Sequence, residues 1–127
     1  MPITFEIDYE KRQINAIAIG PISYPEIETH LSQEHKVLGL SYREFIDARE
    51  VVWKITPSDT RRIVALILDL NREVRFGRTA VLVATDHAYF LVFMFAYLVS
   101  DACEVMPFRH EQEAHTWLRQ GTAQPSN

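Results

Sequence analysis

The sequence predicts an α/β domain with a mixed, mostly parallel β-sheet, an N-terminal antiparallel hairpin and helices packed on the sheet. Residues 3–8 alternate apolar and polar side chains, and a short polar corner joins them to the apolar residues 14–19. Two strands joined in this way form an antiparallel hairpin. Strands and capped helices then alternate along the chain, which requires right-handed crossovers between parallel strands. The predicted element order is therefore ββαβαβαβα.

The length and composition predict one globular domain. Of the 127 residues, 47% are hydrophobic and 24% are charged, and these proportions exclude a disordered or low-complexity protein. We expect the domain to cover residues 1–119 and the polar residues 120–127 to form a flexible tail. The net charge of -4 offers no basic surface for nucleic acid or an anionic membrane.

The cellular compartment is predicted from the cysteine and from the apolar segments. Cys103 is the only cysteine, and a lone thiol fits a reducing compartment. The N-terminal residues 1–8 lack the basic end and the apolar stretch of a signal peptide. The apolar run at residues 88–99 is shorter than the roughly 20 residues that a membrane-spanning helix needs. We therefore expect a cytoplasmic protein with no membrane span.

The first helix and the third strand follow the hairpin. Ser23 and Glu26 have the spacing of a capping box, which predicts a helix that runs to Lys36. Gly39 then breaks the chain. Residues 43–49 contain a short apolar centre without helical spacing, so we predict a third strand there.

The second helix has the clearest start signal. Thr56 is the expected cap, Pro57 occupies the first helical position and Asp59 completes a capping box. Gly77 is expected to end this helix. Four apolar residues repeat on the face that should meet the core: Ile63, Ile67, Leu70 and Val74.

The second half of the chain predicts two more strands and two more helices. Residues 79–85 are continuously apolar, which is typical of a strand covered by helices on both faces. Asp86 begins an aromatic helix that ends at Val99. Residues 104–109 form a strand whose Pro107 cannot donate to a ladder, so this strand should lie at a sheet edge. The last helix presents three apolar residues on one face: Ala114, Trp117 and Leu118.

Three segments resemble the SpoIIAA-like family. They are residues 45–49 (Phe-Ile-Asp-Ala-Arg), the aromatic helix, and Phe108-Arg109 leading to Glu113-Ala114 and Trp117-Leu118. The resemblance extends from the first strand to Leu118 and implies the STAS-type fold of anti-sigma-factor antagonists. That fold is also compared with the lipid-binding SEC14 (CRAL-TRIO) domains. The motifs are short and structural, so the resemblance implies more about fold than about function.

One departure from anti-sigma-factor antagonists bears on regulation. In those proteins a phosphorylatable serine or threonine follows the aspartate of the third strand within a residue or two, whereas here Asp47 is followed by Ala48, Arg49 and Glu50. A phosphate switch is therefore not expected at this position. Ser58 is the one nearby substitute, and it is more simply a helix-start residue beside the cap.

Ligands of an open parallel sheet bind beyond the carboxyl ends of its strands. As an alternative to ligand binding, Asp47 and Arg49 could form a structural ion pair, and Asp86 could serve only as a helix-start residue. Catalysis would require Asp47, Arg49 and His87 to converge. The ligand-binding candidates at this edge are Asp47, Arg49, Thr85, Asp86, His87, Tyr89, Arg109 and His110.

Enzyme, cofactor and metal signatures do not occur in the sequence. It has no glycine-rich phosphate loop, nucleophile elbow or HExxH motif, so we predict neither catalytic residues nor a cofactor. His30 with His35, and His110 with His115, are spaced so that each pair falls on different helix faces, which disfavours a metal site. The acidic neighbours of Cys103 disfavour its thiolate.

The aromatic helix is the most informative segment, because residues 88–99 carry no charge. A helix that is apolar all round must be covered all round. One stripe contains Leu91, Phe95 and Val99, and the sheet of a small domain can cover only one stripe. The other stripe contains the candidates for a dimer interface: Phe90, Phe93, Met94 and Tyr97.

Three covers for the second stripe remain open. A second copy of the chain is the first, because interface cores favour aromatic residues and methionine. An apolar ligand or lipid lined by Tyr89 and Tyr97 is the second, and the last helix with the tail is the third. We therefore predict a non-enzymatic binding or regulatory module that forms a homodimer and contacts a protein partner. The alternative is a carrier or sensor of an apolar small molecule or lipid.

Overall fold

The computed structural model describes residues 2–38, 42–73 and 75–122 and has the predicted element order. Nine elements follow one another along these residues. The strands are β1 (Ile3–Asp8), β2 (Gln13–Ile22), β3 (Arg43–Trp53), β4 (Thr79–Leu82) and β5 (Val105–Phe108). The helices are α1 (Tyr24–Leu38), α2 (Pro57–Leu70), α3 (Asp86–Leu98) and α4 (Glu111–Thr122).

The five strands form one mixed sheet in the order β1-β2-β3-β4-β5. β1 and β2 are antiparallel, and the other neighbouring strands are parallel, as predicted. β5 lies at an edge, which confirms the placement inferred from Pro107. Because the parallel strands follow chain order, crossovers of one hand place α1, α2 and α3 on the same face of the sheet. We call this face the inner face and the opposite face the outer face.

The core lies mainly between the inner face and the first three helices. Val81 of β4 and Val83, which directly follows the strand, pack there against Ala88 and Val92 of α3. Ile63 and Ile67 of α2 pack beside them in a cluster that also contains Tyr24, Val99 and Cys103. The side chains alternate between the two faces along this segment, since Ala80 and Leu82 belong to a cluster on the outer face. This arrangement confirms a strand covered on both faces.

α4 covers part of the outer face. Ala114 and Leu118 are fully buried against Phe45 and the outer residues of β4, and Trp117 packs at the margin, as the sequence predicts. α4 contacts β3, β4 and β5. Ile17 and Ile19, on the outer side of β2, are 51% and 53% exposed.

Three strand boundaries differ from the predictions for physical reasons. β2 continues past residue 19 to Ile22, because Gly20 adopts a φ of 81° and still pairs with Val51. β3 continues past Arg49 to Trp53 through a β-bulge, since Ile17 pairs with Asp47 but Ile19 pairs with Glu50. β4 ends at Leu82 and not at residue 85, because Thr85 caps the next helix.

Helix ends were the least accurate predictions. α1 runs to Leu38 and not to Lys36, and Gly39 lies outside the described residues. α4 runs to Thr122, so residues 120–122 are helical and not part of a tail, while residues 123–127 lie outside the described residues.

The end of α2 shows what the sequence pattern missed. The helix ends at Leu70 and not at Gly77, while Val74 lies outside the described residues. The Asn71 side chain fixes the exit, because its oxygen accepts from the Phe76 amide at 2.9 Å and its nitrogen donates to the Ala102 carbonyl at 3.2 Å. Gly77 instead permits a close backbone approach, since a Cβ there would lie 2.8 Å from the Arg43 amide nitrogen.

The predicted helix starts are confirmed. Thr56 Oγ1 accepts from the Asp59 amide at 3.0 Å, and Asp59 Oδ2 accepts from the Thr56 amide at 3.0 Å, which is a complete capping box. At the start of α1 the Glu26 carboxylate accepts from both the amide and the hydroxyl of Ser23, at 2.7 and 2.6 Å. These hydrogen bonds hold the pKa of Glu26 below its usual value.

Candidate functional site

The carboxyl edge of the sheet carries the predicted ligand-binding residues on three elements. Asp47 and Arg49 lie in β3, where the β-bulge adds one residue to the strand. Thr85, Asp86, His87 and Tyr89 lie at the start of α3, and Arg109 follows β5. The parallel pairing of β3, β4 and β5 brings these segments to one edge.

Asp47 and Arg49 form the ion pair that their spacing predicts. Arg49 Nε donates to Asp47 Oδ1 at 3.0 Å, and a terminal nitrogen donates to Oδ2 at 2.8 Å. The Arg49 amide adds a third hydrogen bond at 3.2 Å, and Glu111 of α4 lies 3.8 Å from the guanidinium. A two-point contact of this kind fixes both side chains. The pair therefore stabilises the bulge and the chain that follows it.

The Arg49 guanidinium, through its hydrogen bonds, holds the pKa of Asp47 below its ordinary value. We expect a carboxyl NMR titration to place this pKa below the ordinary value of about 3.9. Arg49→Met should raise it, whereas Arg72→Met, which removes the exposed partner of Asp69, should not. Because the folded pKa is depressed, the stabilisation is complete above about pH 4 and is lost as the pH falls through the folded value. An unchanged Asp47 titration in Arg49→Met would contradict this.

A second ion pair joins β5 to α3. Arg109 pairs with the Asp86 carboxylate and donates to the Ala84 carbonyl at 2.9 Å. Thr85 caps α3, since its hydroxyl accepts from the Ala88 amide at 3.1 Å, and Asp86 lies in the first turn as predicted. Arg109 therefore anchors the start of α3 to the edge strand.

The candidates at the carboxyl edge do not meet as one cluster of interacting side chains. Within residues 2–38, 42–73 and 75–122, the hydrogen bonds and ion pairs of Asp47 and Arg49 include none with His87 or Arg109. His87 is exposed, and Tyr89 packs edge-to-face on Phe90 with ring centroids 6.3 Å apart. The carboxyl edge of the sheet thus carries two separate structural ion pairs, Asp47–Arg49 and Asp86–Arg109.

The described part of the chain contains neither an assembled metal site nor an activated thiol. No group of three or more histidine, cysteine, aspartate or glutamate residues there could hold a metal ion. Cys103 is buried, and this burial raises the pKa of its thiol. The prediction that the Cys103 thiolate is disfavoured is therefore correct, but burial raises the pKa of the thiol more than the acidic neighbour Glu104 does.

A buried polar pair is the feature that sequence reasoning missed. His30 Nε2 of α1 lies 2.9 Å from Glu44 Oε2 of β3, and the two residues are only 6% and 5% exposed. The His30 ring also packs edge-on against Phe5. The sequence contained a signal for this pair. Glu44 continues the alternation of Ile46 and Ala48, so it falls on the inward-facing side of β3.

The pair lines an apolar cavity of about 160 Å³ between the inner face and the first three helices. Every strand and each of α1, α2 and α3 contributes to its wall. Trp53 also lines it, and its indole N–H is buried with no hydrogen-bond partner among the described residues. The sequence pattern could not reveal this cavity, because a packing gap depends on how several elements meet.

The aromatic stripe of α3 is exposed. Phe90, Phe93, Met94 and Tyr97 are 66%, 50%, 61% and 74% exposed, and Leu98 extends the surface at 49%. The opposite side of α3 is buried through Ala88 and Val92. α4 packs on the outer face of the sheet, so the hypothesis that it covers this stripe is wrong. No helix in the described ranges is long and apolar enough to cross a membrane.

Comparison with known proteins identifies the fold. No protein-family profile and no curated protein sequence matches the chain. Six solved chains are similar in structure. One is an uncharacterized protein of the DUF3478 family with a SpoIIAA-like fold from Shewanella loihica PV-4, with a TM-score of 0.64 and 17% sequence identity. The match covers 91% of this chain and 93% of that chain. The resemblance predicted from the sequence is confirmed at the level of architecture, and the chain has a SpoIIAA-like fold.

Proposed function

We propose that the protein is a non-enzymatic binding module that acts as a homodimer through α3. The observation that supports this most strongly is the exposed apolar surface of Phe90, Phe93, Met94, Tyr97 and Leu98, which we call the α3 stripe. These side chains are neighbours on one helix and are not scattered over the surface. A contiguous apolar patch of large side chains marks an interaction site.

The chemistry of the stripe favours a second copy of the same chain. Aromatic and methionine side chains are enriched in interface cores, and charged side chains are depleted there. From Ala88 to Leu98 the helix carries no charge, and Asp86 and His87 supply a polar rim at its start. A two-fold axis across the stripe would bury both copies in one closed contact.

The proposed module works without the phosphate switch of anti-sigma-factor antagonists. Asp47 is followed by Ala48, Arg49 and Glu50, and none of these side chains carries a hydroxyl group. Ser58 lies in the first turn of α2, between Pro57 and Asp59, where its simplest role is structural. Regulation would then depend on what the module binds.

Met94→Glu tests the dimer directly. Met94 lies in the middle of the stripe, is 61% exposed and can be replaced by another good helix former, so the monomer should stay folded. Two facing carboxylates across a two-fold axis should raise the dimer Kd at least a hundredfold, since like charges in an interface cost several kcal/mol. Sedimentation velocity measures this change.

Leu68→Glu is the matched control, because Leu68 is a 43% exposed residue of α2 outside the stripe. Its sedimentation should equal that of the unmodified protein. A Met94→Glu protein that sediments as the unmodified protein does would refute dimerisation through α3.

The alternative function is a carrier or sensor of an apolar small molecule or lipid that covers the α3 stripe. Tyr89 and Tyr97 would then line the bound molecule. This function predicts that Met94→Glu loses retained apolar mass without a change in subunit count. The same variant therefore separates the two functions.

A further inference from the structure

We propose that the free edge of β1 binds an extended segment of a protein partner, which joins the sheet as an added antiparallel strand. The segment would carry apolar side chains on one face and a basic side chain on the other. β1 lies at one edge of the sheet, whereas α3 packs against β5 at the opposite edge. The proposal therefore does not depend on the dimer.

The main-chain groups of β1 alternate between its two sides. The Ile19 amide donates to the Pro2 carbonyl at 2.9 Å, which fixes the phase of the antiparallel ladder between β1 and β2. The even-numbered residues of β1 therefore direct their N–H and C=O groups toward β2. The odd-numbered residues, Ile3, Phe5 and Ile7, direct theirs toward the open edge. Among the described residues β1 pairs with β2 alone, so these groups are available to an added strand.

The two edges of the sheet differ in their capacity to accept a strand. β5 has four residues, and its Pro107 has no N–H group to donate. β1 has six residues without a proline and pairs with β2 without a bulge. Short length, prolines and bulges protect sheet edges from further pairing. β1 is therefore the edge at which a strand can be added.

The inner face of β1 leaves apolar surface that an added strand would cover. Ile3 packs against the core cluster of the inner face, and Phe5 packs edge-on against His30. Both residues, and Ile7 beside them, remain only half-buried, because β1 is the last strand of the sheet. Apolar side chains opposite them on the added strand would bury this row, and such cross-strand pairs stabilise a sheet.

The outer face of β1 sets the charge of the partner. Glu6 is exposed there and has no ion-pair partner among the described residues, and its neighbour on β2 is the uncharged Asn15. A basic side chain opposite Glu6 would form a favourable cross-strand pair, whereas like charges destabilise one. A second copy of β1 is disfavoured for this reason. Pairing β1 with itself about Phe5 would place the two Glu6 residues at diagonal positions, about 7–8 Å apart.

A synthetic peptide, acetyl-Thr-Val-Lys-Val-Thr-Val-Thr-amide, is the probe. In the antiparallel register its three valines lie opposite Ile7, Phe5 and Ile3, and its lysine lies opposite Glu6. Titration into the ¹⁵N-labelled protein should shift the amide signals of these three apolar residues saturably. N-methylation of the valines removes the donors that face β1, whereas N-methylation of the three residues that follow them removes donors that face away. The first modification should raise the Kd at least tenfold above that of the second.

Two charge variants and one stripe variant complete the test. Glu6→Lys should weaken binding of the lysine peptide about threefold and strengthen binding of a peptide with glutamate in place of the lysine. Asp69→Lys makes the same change of net charge on α2 and should alter neither affinity, and Met94→Glu should also leave both unchanged. The proposal is overturned if the lysine peptide gives no saturable shift in the unmodified protein, if methylation of the valines weakens binding no more than its matched control, or if Glu6→Lys and Asp69→Lys have equal effects.

Discussion

Glu44→Ala should lower the free energy of unfolding by about 3–5 kcal/mol, because it removes one partner of a buried polar pair. His30 and Glu44 are both more than nine-tenths buried and lie 2.9 Å apart. Without the carboxylate, the imidazole keeps the cost of its lost hydration and loses the hydrogen bond that offsets it. Urea denaturation measured by circular dichroism gives the difference.

Two further variants identify the cause of that loss. His30→Leu combined with Glu44→Leu should recover most of the stability, since buried pairs are often replaced by apolar residues at little cost. Asp69→Ala, which breaks an exposed pair with Arg72, should change stability by less than about 1 kcal/mol. A loss in Glu44→Ala no larger than in Asp69→Ala would contradict a buried pair.

Gly77→Ala should destabilise the fold by about 3 kcal/mol through a backbone clash. The added Cβ would lie 2.8 Å from the Arg43 amide nitrogen and closer still to the Tyr42 carbonyl. Neither group can rotate away, and the Glu44 amide is hydrogen-bonded to the Arg78 carbonyl at 2.8 Å beside them. Relief would require β3 to shift against the chain that leads into β4. Chemical denaturation measures the loss.

Gly20→Ala provides the comparison for a glycine required by conformation alone. A Cβ at Gly20 meets nothing within 4 Å, but the φ of 81° strains any L side chain. The expected cost is about 1–2 kcal/mol. Equal or smaller destabilisation by Gly77→Ala would show that the strand start moves easily and would contradict the close-contact role.

Periodicity and caps predicted most of the architecture because they are local properties. The capping box of Thr56 and Asp59 and the alternation in β4 each depend on a few adjacent residues. The end of α2 was predicted wrongly because Gly77 is required by its approach to Tyr42, which lies far away in sequence. A sequence pattern reports that a glycine is present but not which contact requires it.

The sequence predicted some features of the candidate site and missed others, again because it shows local patterns and not tertiary contacts. The exposed stripe of α3 could be predicted, because a helix without charge cannot be covered by one side of a small sheet. The Asp47–Arg49 pair was predicted from its spacing along one strand. The His30–Glu44 pair and the cavity were missed because they join residues that only the tertiary fold brings together. Polar residues inside apolar patterns, such as Glu44, are therefore the signal to search for.

Native mass spectrometry of the freshly purified, unmodified protein tests the central claim most directly. One chain has a mass of 14.8 kDa, so the proposed homodimer should appear at twice 14.8 kDa at micromolar concentration. This result would establish self-association, which Met94→Glu then assigns to α3. A monomer at 14.8 kDa would contradict the account. If that monomer retained an apolar molecule, the protein would be a ligand carrier.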